Sequence, residues 1–160
     1  MTDQSATIEI SHPPEAVLRA LNTVLRRALR TPLGAPIGDF MVVGFTGRKT
    51  GRRYAVPVSA HRLDGDFYAL LNAGWKANFR GGAVADVTYR GKTAPMQGTL
   101  ISDPAAVGEI AERVATAYGP KKAQRQMGLR FPGAGVPSVA EFTEAAGRLG
   151  LVAVKLAPKA

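Results

Sequence analysis

The stretch that most constrains this chain is Thr46 to Pro57, Thr-Gly-Arg-Lys-Thr-Gly-Arg-Arg-Tyr-Ala-Val-Pro. An apolar run, Phe40 to Phe45, precedes it and an alternating one, Ala55 to Leu63, follows, which predicts a tight turn between two strands. Gly47 and Gly51 can take left-handed backbone angles that a Cβ opposes. Arg48, Lys49, Thr50, Arg52 and Arg53 sit between and just after them, so four cations and a hydroxyl crowd onto one turn. Two readings follow. One is an anion-binding turn, in which amides freed by the glycines line a concavity and guanidinium groups fork onto oxygens. The other is a basic hairpin bend kept soluble by its charges. A Walker phosphate loop is excluded, because no Gly-Lys pair closes that pattern and strands, not a helix, follow.

Around this turn the chain reads in three textures. Residues 1–12 are mostly polar and read as poorly fixed. Pro13-Pro14-Glu15 opens a helix to about residue 30, whose apolar stripe runs through Val17, Leu18, Leu21, Val24, Leu25, Ala28 and Leu29, with Arg19, Arg26, Arg27 and Arg30 largely off it. Such a basic amphipathic helix either packs on its own domain or lies on an anionic membrane through residues 15–30. Beyond a breaker-rich connector at 31–38, short strands are predicted at about 40–46, 54–63, 66–73, 84–91 and 93–101. Asp64-Gly65 is a strong hairpin signal and Arg90-Gly91-Lys92 a second. Strands so closely spaced suggest a small barrel that leaves few free edges.

The last third is helical. Asp103-Pro104 caps a helix of about 105–118, a short one spans about 121–129, and Ser138 with Glu141 fits a capping box for a helix to about 149 before a closing strand at 151–156. These helices are expected to cover the barrel, so that residues 1–160 form a single α+β, mainly β, domain. The Tyr118-Gly-Pro-Lys-Lys122 break is either the lip of an acceptor pocket or an exposed helix end.

Charge and composition narrow the chemistry. With 21 Lys and Arg against 12 Asp and Glu, the chain carries +9 and favours acidic partners. It has no Cys, and two distant histidines, His12 and His61, so thiol chemistry is excluded and a metal site is not suggested. Nucleic acid is not expected as a partner, because aromatics make up only 7% and do not interleave with the cations. No apolar stretch reaches membrane-spanning length and the N-terminus lacks a signal-peptide pattern, which makes a cytoplasmic location the expectation.

Thr46-Gly-Arg-Lys-Thr-Gly51, Pro57, Asp64-Gly65-Asp66 and Trp75-x-x-Asn78-Phe79, in that order, resemble the deazaflavin-dependent nitroreductase family over about residues 39–101. The resemblance implies a split β-barrel of the FMN-binding kind and a cofactor, coenzyme F420, whose side chain carries a phosphate and a poly-glutamyl tail. It implies hydride transfer to nitroaromatics, quinones or other conjugated acceptors, and a homodimer. Arg48, Lys49 and Thr50 would hold the anionic side chain, with Arg53 and Pro57 beside them; Trp75 and Asn78 would flank the ring. Two departures stand out. Tyr54 occupies the place of a family arginine, with the cation one residue earlier at Arg53. Asn72-Ala73-Gly74 runs straight into Trp75 where the family has a longer loop. FMN is the alternative cofactor, and a non-catalytic flavin, lipid or menaquinone carrier the alternative function. Tyr68, Tyr89, Tyr118 and His61 could donate a proton by chemistry, but no spacing selects a catalytic residue.

Overall fold

The computed structural model describes residues 7–11, 40–72 and 74–158, and the helix expected at 13–30 lies outside them. In chain order the elements are β1 (Glu9–Ile10), β2 (Phe40–Thr46), β3 (Arg53–Ser59), β4 (His61–Leu63) and β5 (Asp66–Leu71). A 3-10 turn (Gly74–Phe79), β6 (Ala83–Tyr89), β7 (Lys92–Ile101), α1 (Pro104–Tyr118) and α2 (Pro120–Met127) follow. β8 (Leu129–Arg130), α3 (Val139–Leu149) and β9 (Val152–Pro158) complete the described chain. These elements fall into two compact units, one of residues 7–11, 70–72 and 101–153, the other of 40–69, 74–100 and 154–158.

Most of the second unit belongs to a sheet of order β3-β2-β6-β7-β9-β5-β4. Its two edge strands, β3 and β4, are consecutive in the chain and joined by Ala60 alone. Laid flat, a sheet of this order would hold those edges roughly 29 Å apart at the usual spacing of about 4.8 Å between strands. One residue spans only about 3.5 Å. The sheet must therefore curl until its edges meet at that corner without pairing, and the result is a split β-barrel in an α+β, mainly β, fold. Ala60 also explains why the run expected as one strand at 54–63 is two. The tight turns form where the sequence put them: Asp64 (φ 54°) and Gly65 (φ 86°) join Leu63 to Asp66, and Arg90 (φ 52°) and Gly91 (φ 80°) join Tyr89 to Lys92. Positive φ at both central residues matches the right-handed twist of the strands.

β2 pairs antiparallel with β3 on one side and β6 on the other, and Met41, Val42, Val43 and Phe45 are all buried. Its near-continuous apolar run is what a strand covered on both faces requires. Phe79, fully buried, fixes the 3-10 turn: its ring lies so close to Gly98 of β7 that a Cβ there would stand 2.5 Å from Cδ1.

In the first unit, α1 begins on Asp103, whose carboxylate accepts from the Ala106 N–H (3.1 Å), and α3 on the complete Ser138–Glu141 capping box. Residues 7–11 are better fixed than their polarity suggested. Ile8 is buried, and β1 pairs antiparallel with β8, Glu9 opposite Arg130 and Ile10 opposite Leu129. Arg148 of α3 reinforces this, donating from Nη2 to the Ile8 carbonyl (2.8 Å) and from Nε to Glu144 (2.8 Å). That bond from Arg148 holds the Glu144 carboxyl below its ordinary value. A depressed folded-state value means that its contribution is present at neutral pH and lost on acidification. Protection of the β1 amides, taken relative to their intrinsic exchange rate at each pH, is accordingly expected to fall as the pH drops through the carboxylate range.

Gly108 is where α1 meets α3. An added Cβ would lie 2.2 Å from Thr143 Oγ1 and 2.9 Å from its backbone nitrogen. Helix preference alone favours alanine over glycine by about 1 kcal/mol, but forced overpacking costs about 1–3 kcal/mol. Gly108→Ala is therefore expected to lower the urea midpoint, and a raised midpoint would show that the helices are free to move apart.

Candidate functional site

The basic turn and the tryptophan turn face one cavity of about 620 Å³ in the second unit. The turn closes on itself through Gly47 N–H to the Arg52 carbonyl (2.8 Å) and Gly51 N–H to the Gly47 carbonyl (2.9 Å). Gly51 has φ 67°, as its sequence position suggested. Gly47 is needed for a different reason: a Cβ there would meet Tyr54 Cε2 at 2.7 Å and Thr50 Oγ1 at 2.8 Å. The Thr50 hydroxyl accepts from the Arg52 N–H (3.2 Å) and lies 3.2 Å from the Tyr54 hydroxyl.

Two side chains clasp this turn to the 74–82 segment. Asn78 Oδ1 accepts from the Arg48 peptide N–H (2.8 Å), and its Nδ2 donates to the Trp75 carbonyl (2.9 Å). Arg48 Nη2 donates to the carbonyls of Arg80 (2.5 Å) and Gly82 (3.2 Å). A guanidinium can bridge two carbonyls in this way because its donors are rigidly splayed.

Rings form one wall. Phe45 stacks on Tyr54 (centroids 5.6 Å apart, planes at 24°) and on Trp75 (5.5 Å, 23°), and Phe79 braces Phe45 and Trp75 edge-on at 5.6 and 5.9 Å. Phe45, Tyr54 and Trp75 all line the cavity, and the Trp75 indole N–H has no hydrogen-bond partner among the described residues. Cations form the rim: Arg48, Lys49 and Arg80 line the cavity, and among the described residues no carboxylate does. Neither the Lys49 ammonium nor the Arg80 guanidinium has an ion-pair partner among the described residues. The arrangement suits a flat conjugated body carrying a negative group, since the rings offer a stacking face and the rim offers unneutralised charge.

Of the residues singled out from sequence, Arg48, Lys49, Thr50, Trp75 and Asn78 come together here, whereas Arg53 and Pro57 do not line the cavity. Strand alternation separates them: Tyr54 and Val56 of β3 line it, so 53, 55 and 57 belong to the other face. Arg53 passes over Gly44 of β2 to an ion pair with Asp86 of β6 (2.5 Å), an exposed pairing worth at most about 1 kcal/mol. Pro57 pairs with Val42 on an edge strand, where its missing N–H removes no ladder bond on the outer side. Phe45, Tyr54 and Arg80 were not selected from sequence. The β3 alternation could have found Tyr54, and the stack with Phe45 needed the fold. Of the tyrosines and histidine considered as proton donors, Tyr68 and Tyr89 do not line the cavity, His61 is buried in β4 and Tyr118 belongs to the first unit. No cluster of metal-binding side chains occurs among the described residues.

No protein-family model matches the sequence, and no curated protein does. Among solved structures the chain is similar to conserved hypothetical protein Rv2991 from Mycobacterium tuberculosis (12% identity, covering 100% of this chain and 87% of that one, TM-score 0.46). It is also similar to a protein described as a domain-swapped dimer (14%, 90% and 99%, TM-score 0.45) and to an F420 reductase (14%, 84% and 93%, TM-score 0.37). Superpositions this loose transfer neither a ligand nor a residue role.

Asn78→Ala removes both ends of the clasp. The loss of two hydrogen bonds is expected to cost about 1–3 kcal/mol and to make Trp75, the sole tryptophan, more accessible to acrylamide quenching. Unchanged quenching would mean that the turn holds Trp75 without Asn78.

Proposed function

We propose that this protein is an oxidoreductase that binds reduced coenzyme F420 in the cavity of the second unit and reduces nitroaromatics, quinones or other conjugated acceptors. The observation that carries the reading is the juxtaposition, among the described residues, of a three-ring wall with a rim of three cations and no carboxylate. A cavity of about 620 Å³ is within the range of cofactor pockets, and the donor set fits a ring system with an anionic side chain.

In this reading Lys49 and Arg80 hold the negative side chain. Phe45, Tyr54 and Trp75 set the plane of the ring and exclude water from one face. The Thr50 hydroxyl, held by the Arg52 N–H beside the Tyr54 hydroxyl, stands with Lys49 and Arg80 on the anion side. Arg48 and Asn78 act as positioning residues, since their polar atoms are engaged by the protein's own backbone. When bound, the cofactor supplies the hydride, and the chain supplies orientation and electrostatics. The homodimer expected from the family resemblance belongs to the same proposal. No helix among the described residues is long and apolar enough to cross a membrane.

The test is oxidation of reduced F420 by menadione and by a nitroaromatic, with wild type and Lys49→Ala. Wild type is expected to turn over. The variant is expected to raise the cofactor KM by about tenfold, the loss of one charge-assisted hydrogen bond, with kcat little changed. Absence of turnover with either acceptor contradicts the enzyme reading, and an unchanged KM removes Lys49 from the anion site. Turnover with reduced FMN alone would move the protein to flavin chemistry.

A further inference from the structure

The first unit carries a second basic cavity, of about 540 Å³, to which the proposed function assigns nothing. Lys121 and Arg125 of α2 line it with Arg130 of β8, Ser11 beyond β1, Gln124 and the buried Leu129. Gly128, in the left-handed conformation (φ 66°), turns the chain from α2 into β8, so helix and strand face each other. Gln124 fixes that geometry: its Nε2 donates to the Pro120 carbonyl (3.2 Å) and its Oε1 accepts from the Phe131 N–H (2.9 Å). Ser11 is held alongside by its N–H to the Gly128 carbonyl (2.9 Å).

Three electrostatic features of this frame oppose the protein's own stability. Lys121 and Arg125 are like charges four residues apart on one helix face. Lys121 lies in the first turn of α2, where the backbone dipole disfavours cations, and no acidic residue is there to offset it. Arg130 brings a third positive charge from the adjoining strand. No carboxylate lines the cavity, and Lys121, Arg125 and Arg130 have no ion-pair partner among the described residues. Glu9, opposite Arg130 in the β1–β8 ladder, is engaged instead by the Thr7 hydroxyl (2.9 Å) and lies 3.7 Å from Arg148. Lys122, by contrast, lies over the Tyr118 ring at 5.5 Å. A bound anion would relieve all three conflicts.

We propose that this cavity binds a multivalent oxyanion of the diphosphate type. Two guanidinium groups and an ammonium, all exposed around one open hollow, match tetrahedral oxygens bearing more than one charge. Among the described residues no aromatic lines it, which disfavours a stacked nucleic-acid strand as the ligand. The same chemistry could be presented by a free metabolite or by a lipid headgroup.

The experiment is a titration of 15N-labelled full-length protein with pyrophosphate. It is repeated with Lys49→Ala, which weakens the other basic cavity, and with Arg125→Gln/Arg130→Gln. A parallel arm measures co-sedimentation with phosphatidylcholine vesicles with and without phosphatidylinositol phosphate. Saturable shifts at the amides of Ser11 and residues 124–130 are expected, retained in Lys49→Ala and weakened at least about tenfold in the double variant. Pyrophosphate should also raise the wild-type melting temperature, a readout independent of whether the variant folds. Phosphoinositide-dependent sedimentation would identify a headgroup as the source, and none a soluble ligand. No saturable shift at these amides, or equal affinity in the double variant, overturns the proposal. Vesicle binding without pyrophosphate binding overturns it too.

Discussion

The hydrogen bond from the Arg48 peptide N–H to Asn78 Oδ1 is the contact on which the site depends. It joins a hairpin turn to a 3-10 turn thirty residues later in the chain. The turn at 47–52 is exposed apart from Gly47. The tryptophan segment is anchored at one end by Phe79 on Gly98. Asn78 connects the two, and Arg48 doubles the connection through the Arg80 and Gly82 carbonyls. One residue of each turn thus serves geometry, which leaves Lys49 and Trp75 in a fixed relation.

That division of labour explains how cations can crowd on one turn without dispersing. Arg48 is fixed in place by neutral carbonyls and Arg53 is paired with Asp86, so one of the turn's four charges is neutralised and a second is immobilised. Lys49 is left beside Arg80, which reaches the same cavity from the other segment. The net positive rim then comes from two separate pieces of backbone that the clasp brings together, and its affinity for an anion depends on the clasp staying closed.

Much of the barrel was legible in the sequence because its signals are local. Alternation marked the strands, Asp64-Gly65 and Arg90-Gly91 the hairpins, and Ser138 with Glu141 a helix start. What escaped depends on contacts distant in sequence. Residues 7–11 were read as loose because Ile8 and Ile10 stand in a mostly polar stretch, and the burial of Ile8 depends on the distant Arg148 and β8. In the site, spacing marked only the basic turn at 46–53; grouping Arg48, Lys49 and Thr50 with Trp75 and Asn78 came from the family resemblance, and their individual roles were not legible. Whether a polar side chain meets a ligand or a backbone carbonyl is decided by what the other turn presents. The exchange of Arg53 for Tyr54 follows from strand phase, and phase becomes certain only when the register of β3 on β2 is known.

The most direct measurement of the central claim, that rings and cations act together on one ligand, is a titration of Trp75 fluorescence with oxidised F420. The same titration is run with the deazaflavin ring lacking the phosphate and glutamyl tail. Intact F420 is expected to quench Trp75 saturably, and the tailless ring to bind at least about tenfold more weakly, since it loses the charge-assisted contacts of the rim. Equal affinity for the two, or no saturable quenching by either, would contradict the account.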